Sequence, residues 1–177
     1  QCDAAFAEWE GRKEGDLKEY WPRSLLSEGW KTHGWGIPEH GHTHYWTMFN
    51  PRQLLVHAQL LRAICEVGCY DWKTREYVLC AFQQYLNYNN MFCHWHMTRD
   101  MVAQLFSNNN FHPKSTVLEN AVFSPAGSGN WLATAAAITK AGEWCRSPWE
   151  SVVTEDLAKR EPSLAKEISG KSEKVYP

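Results

Sequence analysis

The chain has 177 residues, 44% of them hydrophobic, which suits one domain with a sizeable core and is short for two independent ones. Lys and Arg number 18 against 20 Asp and Glu, a formal net charge of -2, so no bulk basic excess is present to hold a nucleic acid. No apolar run approaches the roughly 20 residues that a bilayer span needs, and Cys2, Cys65, Cys69, Cys80, Cys93 and Cys145 form no C-x-x-C pair. A cytoplasmic protein with reduced thiols and no membrane partner is expected. The first residue is Gln1 rather than Met, which suggests a piece of something larger.

Charge and ring alternate at helical spacing from about Asp3 to Tyr20, and Pro22 stops that helix. Residues 22–49 carry Gly29, Gly34, Gly36, Pro38 and Gly41 with little periodicity, as in a long ordered loop of the kind that often carries function. Within it His40, His42 and His44 alternate, and an extended strand would project all three to one side as potential zinc or iron ligands. No acidic or cysteine partner stands nearby at ligand spacing, so a polar loop is the preferred reading and no metal is assigned.

Asn50-Pro51 reads as a helix cap followed by proline at the first helical position, with Leu54, Ala58, Leu61 and Cys65 on one face. Arg52, Gln59, Arg62 and Glu66 form the opposite, wet face, and Gln53 is read as pointing outward beside Arg52. A turn at "VGCYDW" leads to a second helix over about 74–88, with Val78, Ala81, Phe82 and Tyr85 inward, and the two helices are expected to form an antiparallel hairpin. Thr98 and Asp100 look like the cap of a third, short helix carrying Met101, Val102, Leu105 and Phe106. "FCHWH" (Cys93, His94, His96) is a second ligand-rich cluster whose members are too close to share one ion unaided. "FSPAGSGN", from Phe123 to Asn130, invites comparison with nucleotide loops but lacks a phosphate-loop lysine. An alanine-rich helix over about 131–146 and a charged tail complete the chain.

The blocks "HGHTHYWTMFNPRQLL", "YNNMFCHWHMTRDMVAQLF" and "ENAVFSPAGSGNW", in this order and spacing, resemble the middle portion of large prokaryotic adenine-specific DNA methylases that carry a zinc ribbon and occur in anti-phage operons. The resemblance spans about Tyr20 to Trp149, with Gly41, Thr43-His44, Trp46, Phe49 to Leu55, Cys93, Trp95, Arg99 and Gly129-Asn130-Trp131 as its most specific positions. It implies that S-adenosylmethionine serves the intact enzyme, whose cofactor loop and Asp-Pro-Pro-Tyr tetrapeptide lie outside this chain. It also implies no cofactor, no catalytic residue and no zinc within these residues. Such an enzyme must take adenine out of the duplex, which this segment would assist.

The fold expected is mainly α, or the helical part of a larger α/β methyltransferase fold. Residues 1–177 would form a single domain or a fragment of a larger enzyme: an N-terminal helix at 1–21, the loop at 22–49, a helical core at 50–149 and the tail at 150–177. Candidates for DNA contact are His44, Trp46, Asn50, Arg52, Gln53, Trp95 and Arg99, because amides, guanidinium groups and rings at helix starts suit bases and phosphates. Rival readings are a protein-docking module of an anti-phage complex, which the aromatic content favours, and a histidine metal-binding protein resting on His40, His42 and His44.

Overall fold

The computed structural model describes residues 2–26, 40–68, 71–105, 118–152 and 164–167. The described residues are mainly α. The elements are α1 (Cys2–Arg12), a 3-10 turn (Tyr45–Met48), α2 (Pro51–Glu66), α3 (Trp72–Asn87), β1 (His94–His96), β2 (Met101–Ala103), α4 (Trp131–Arg146), β3 (Trp149–Val152) and β4 (Leu164–Glu167). The chain divides into two compact units, 1–135 and 136–177. Within the second, β3 and β4 pair antiparallel with Trp149 opposite Glu167, a pairing that the charged composition of the tail did not announce.

α1 ends at Arg12, eight residues before Tyr20, and the chain then runs through turns. Leu17, on those turns, is fully buried and packs with Trp9 against Leu54, Leu55 and Ala58 of α2. A polar seam borders this core: Arg62 reaches Asp16 at 2.6 Å, and the Tyr20 hydroxyl donates to Glu66 at 3.2 Å. The hydrogen bond from Arg12 holds the Asp16 carboxyl below its ordinary pKa.

Of the stretch 22–49, residues 27–39 lie outside the described residues, and with them most of the expected loop. Its two ends pair with each other. The Leu26 N–H donates to Thr43 O at 3.0 Å and the Tyr45 N–H to Ser24 O at 3.1 Å, around an antiparallel bridge between Leu25 and His44.

α2 and α3 form the expected antiparallel hairpin, with Ile64, Phe82 and Tyr85 buried together and Leu60, Leu61 and Val78 packed against them. Asp71 caps α3 by accepting the Thr74 N–H at 2.7 Å. At the other end Asn90, almost fully buried, donates to the carbonyls of Leu86 and Asn87 and accepts the Phe92 N–H. One side chain thus satisfies groups that the helix end leaves orphaned.

The third helix expected after Thr98 is replaced by a β-hairpin. Residues 101–103 pair with 94–96, Trp95 lying opposite Val102, while Asp100 takes a positive φ of 49° in the connecting turn. The apolar residues at 101, 102 and 105 fit both periods, and pairing with the preceding "HWH" strand decides between them. Ala103 is buried and Leu105 packs against Leu26, Met48 and Phe92; Phe106 lies outside the described residues.

Candidate functional site

The N-terminus of α2 carries three of the candidates. The Asn50 side chain accepts the Gln53 N–H at 2.9 Å and the Gln53 side chain accepts the Asn50 N–H at 3.1 Å, a reciprocal capping box. Gln53 therefore turns back onto the helix end and is only 7% exposed, which corrects the expectation that it points outward. A base-reading amide needs a free edge. The Oε1 of Gln53 is committed to the cap, and the side chain is buried.

Glu119 completes this corner from a distant part of the chain. One carboxylate oxygen accepts from the Asn50 amide, and the other accepts from Arg52 Nε at 2.8 Å and also pairs with Arg52 Nη2. The carboxylate also stands where a helix N-terminus favours negative charge. Arg52 keeps part of its guanidinium in solvent, with the side chain 45% exposed, but a carboxylate already engages it.

Beside this corner lies a buried polar chain. The Nε2–H of His57 donates to Asn89 O at 2.9 Å, and its Nδ1 accepts from the Tyr85 hydroxyl at 3.2 Å. Asn89 donates from its amide to Tyr85 O at 2.7 Å and to Gly129 O at 2.8 Å. Burial away from water pushes the His57 pKa down to about 4, against the weaker opposing pull of its bond to Asn89, so the ring is neutral at pH 7. Burial likewise raises the Tyr85 pKa, keeping its hydroxyl protonated.

The loop before α4 closes the network. Gly129 has φ +75°, and a Cβ there would overlap the Tyr88 ring. Asn130 is 1% exposed and caps α4, accepting the Ala133 N–H at 2.9 Å while its amide donates to Ala126 O and Gly127 O. Gly129 is thus explained by backbone conformation and Tyr88 packing, without a nucleotide in the loop.

The remaining candidates are more open. His44 sits at the Leu25 bridge, pairs through Nδ1 with Thr43 Oγ1 at 2.9 Å, and has its ring 6.3 Å from that of Trp46. Trp46 is 40% exposed and Trp95 48% exposed. Arg99, in the turn of the β1–β2 hairpin, is exposed and donates its backbone N–H to His96 O.

The comb of histidines does not form a strand. Gly41 takes φ +91°, His40 is exposed, and the Nδ1–H of His42 donates to Thr47 O at 3.0 Å with its ring against Phe92. Among the described residues no three His, Cys, Asp or Glu side chains are grouped to hold a metal ion. No described helix is long and apolar enough to cross a membrane.

Glu119, His57, Tyr85 and Asn89 were not among the sequence candidates. His57 had a visible signal, since it stands three residues after Leu54 on the apolar face of α2, where a histidine must be buried and bonded. Glu119 had none, being 67 residues from Arg52.

No protein-family model, curated protein or solved structure matches this chain.

Proposed function

We propose that this chain is the middle segment of an S-adenosylmethionine-dependent, adenine-specific DNA methyltransferase, in which it braces the catalytic fold and offers the β1–β2 hairpin to DNA. What supports a structural role is that the Asn50–Arg52–Glu119 corner and the His57–Tyr85–Asn89–Gly129 chain tie distant parts of this segment to one another. The bonds of Asn50 and Arg52 to Glu119 and of Asn89 to Gly129 join the three sequence blocks on which the family resemblance rests, while His57 and Tyr85 lie between the blocks. Residues used in this way hold elements together, with no need to touch substrate. Trp95 and Arg99, exposed on the hairpin, retain the stacking face and the guanidinium that contact with an extruded strand would use. Methyl transfer itself belongs to the cofactor loop and the catalytic tetrapeptide of the intact enzyme, and no residue of this chain is assigned to it.

The test uses the intact enzyme, with methyl transfer to adenine and DNA binding measured together. Trp95→Ala and Arg99→Ala are expected to weaken DNA binding without changing the melting temperature, whereas Arg52→Ala lowers the melting temperature and leaves DNA affinity alone. An intact protein that transfers no methyl group from S-adenosylmethionine to DNA overturns the reading.

A docking module is the second reading, favoured by large exposed apolar side chains: Met97 at 86%, Trp72 at 65%, Phe123 at 63% and Tyr77 at 54%. Trp72→Ser with Tyr77→Ser abolishing co-purification of an operon partner, while methylation persists, would favour it.

A further inference from the structure

A pocket of about 260 Å³ opens between the 19–22 turn, Phe49, α2 and α3. Its walls are the rings of Tyr20, Trp21, Phe49 and Phe82 and the aliphatic chains of Leu54 and Leu61. A dry apolar cavity of about 150 Å³ already admits benzene, so this one has room for two fused rings.

The polar groups in the lining divide into two kinds. His57 has both ring nitrogens committed, to Asn89 O and to the Tyr85 hydroxyl. The Trp21 indole N–H donates to Lys13 O at 3.0 Å, and Tyr20 donates to Glu66. These groups present carbon to the pocket and ask nothing polar of an occupant. Glu19 differs: it is an exposed carboxylate in the lining with no ion-pair or hydrogen-bond partner among the described residues. The Arg23 guanidinium, 4.2 Å from the Trp21 ring centroid, reaches Glu14 instead.

We propose that this pocket binds a small two-ring aromatic amine, its rings held among Tyr20, Trp21, Phe49 and Phe82 and its ammonium group paired with Glu19. Aromatic walls favour a flat, polarizable body through edge and face contacts. Glu19, the one carboxylate among the described lining residues, selects a cation over a neutral or anionic substituent at the same position. Glu19 is exposed, so its effect is modest in size and strong only in sign. This site is independent of the methyltransferase reading and involves no residue assigned to DNA.

The experiment is calorimetric titration of the 177-residue chain at pH 7 with tryptamine, indole and indole-3-acetate. Tryptamine is expected to bind with a dissociation constant on the order of 0.1 mM. Indole should bind about fivefold more weakly and indole-3-acetate at least tenfold more weakly, with Glu19→Gln bringing tryptamine to the level of indole. Ala58→Met, which extends a side chain into the pocket, should weaken all three at least tenfold; if circular dichroism shows that this variant is unfolded, Leu61→Trp replaces it. Failure of both tryptamine and indole to bind at millimolar concentration overturns the proposal, as does binding that a folded pocket-filling variant leaves unchanged. Equal affinities for tryptamine and indole-3-acetate, or no effect of Glu19→Gln, overturn the assignment to amines.

Discussion

His57 on α2 and Tyr85 on α3 meet in the core, the tyrosine hydroxyl donating to Nδ1 at 3.2 Å with the two rings edge to face at 89°. That bond requires a bare Nδ1, so the fold tolerates only the neutral imidazole with its proton on Nε2. In the unfolded chain the same group has its ordinary pKa of 6.5, whereas in the core it is held down to about 4. Between these values the unfolded chain binds the extra proton, and unfolding becomes easier as pH falls. The contribution is fully present above about pH 6.5 and is lost progressively toward pH 4, about 3 kcal/mol in all. Urea denaturation across this range should show the decline, and His57→Gln should flatten it. A wild-type stability that is constant from pH 7 to 4.5 would contradict the neutral, buried histidine.

Gly129→Ala should be among the most damaging single changes. It combines a left-handed backbone, costing about 1 to 2 kcal/mol for an alanine, with a methyl group driven into the Tyr88 ring, for which overpacking costs about 1 to 3 kcal/mol. Gly11→Ala is the control, since a Cβ there meets nothing within 4 Å and lies in α1. It should be neutral or stabilising by about 0.5 to 1 kcal/mol. Denaturation midpoints at fixed m-value decide, and equal effects of the two changes would remove the close approach of Tyr88 from the account.

Glu119 and Arg52 should be energetically coupled. Arg52 is partly exposed, so the pair alone is worth about 0.2 to 1 kcal/mol, to which loss of the Asn50 contact adds in Glu119→Ala. A double-mutant cycle between Arg52→Ala and Glu119→Ala should return a favourable coupling of that size, smaller in 1 M salt. Asn50→Ala, which removes the helix cap as well, should cost about 1 to 2 kcal/mol. Strict additivity of the Arg52 and Glu119 changes would mean that the corner is not formed in solution.

Thiol accessibility provides a fourth check. Cys80 and Cys145 are exposed, whereas Cys93 is 1% exposed with its thiol directed to Asn87 O. Peptide-mapped alkylation of the folded chain should modify Cys80 and Cys145 rapidly and spare Cys93 until denaturant is added. Early modification of Cys93 would show that the turn after α3 is open.

Local signals determined the helical part of this protein. Asn50-Pro51 announced the start of α2, the spacing of Ala81, Phe82 and Tyr85 announced the inner face of α3, and the alanine-rich run announced α4 within its observed limits. Each of these depends on side chains within a few residues of one another, which is why they were legible without a fold. Tertiary structure decided the rest. Whether 101–103 would coil or extend depended on a partner strand. The turn of Gln53 back onto the cap is by contrast local, a reciprocal pair of bonds with Asn50 three residues earlier. Arg52 read as a free contact until Glu119 was brought from 67 residues away. Long-range pairing of charge and amide leaves no periodic trace in a single sequence, because its geometry exists only once the chain has closed on itself.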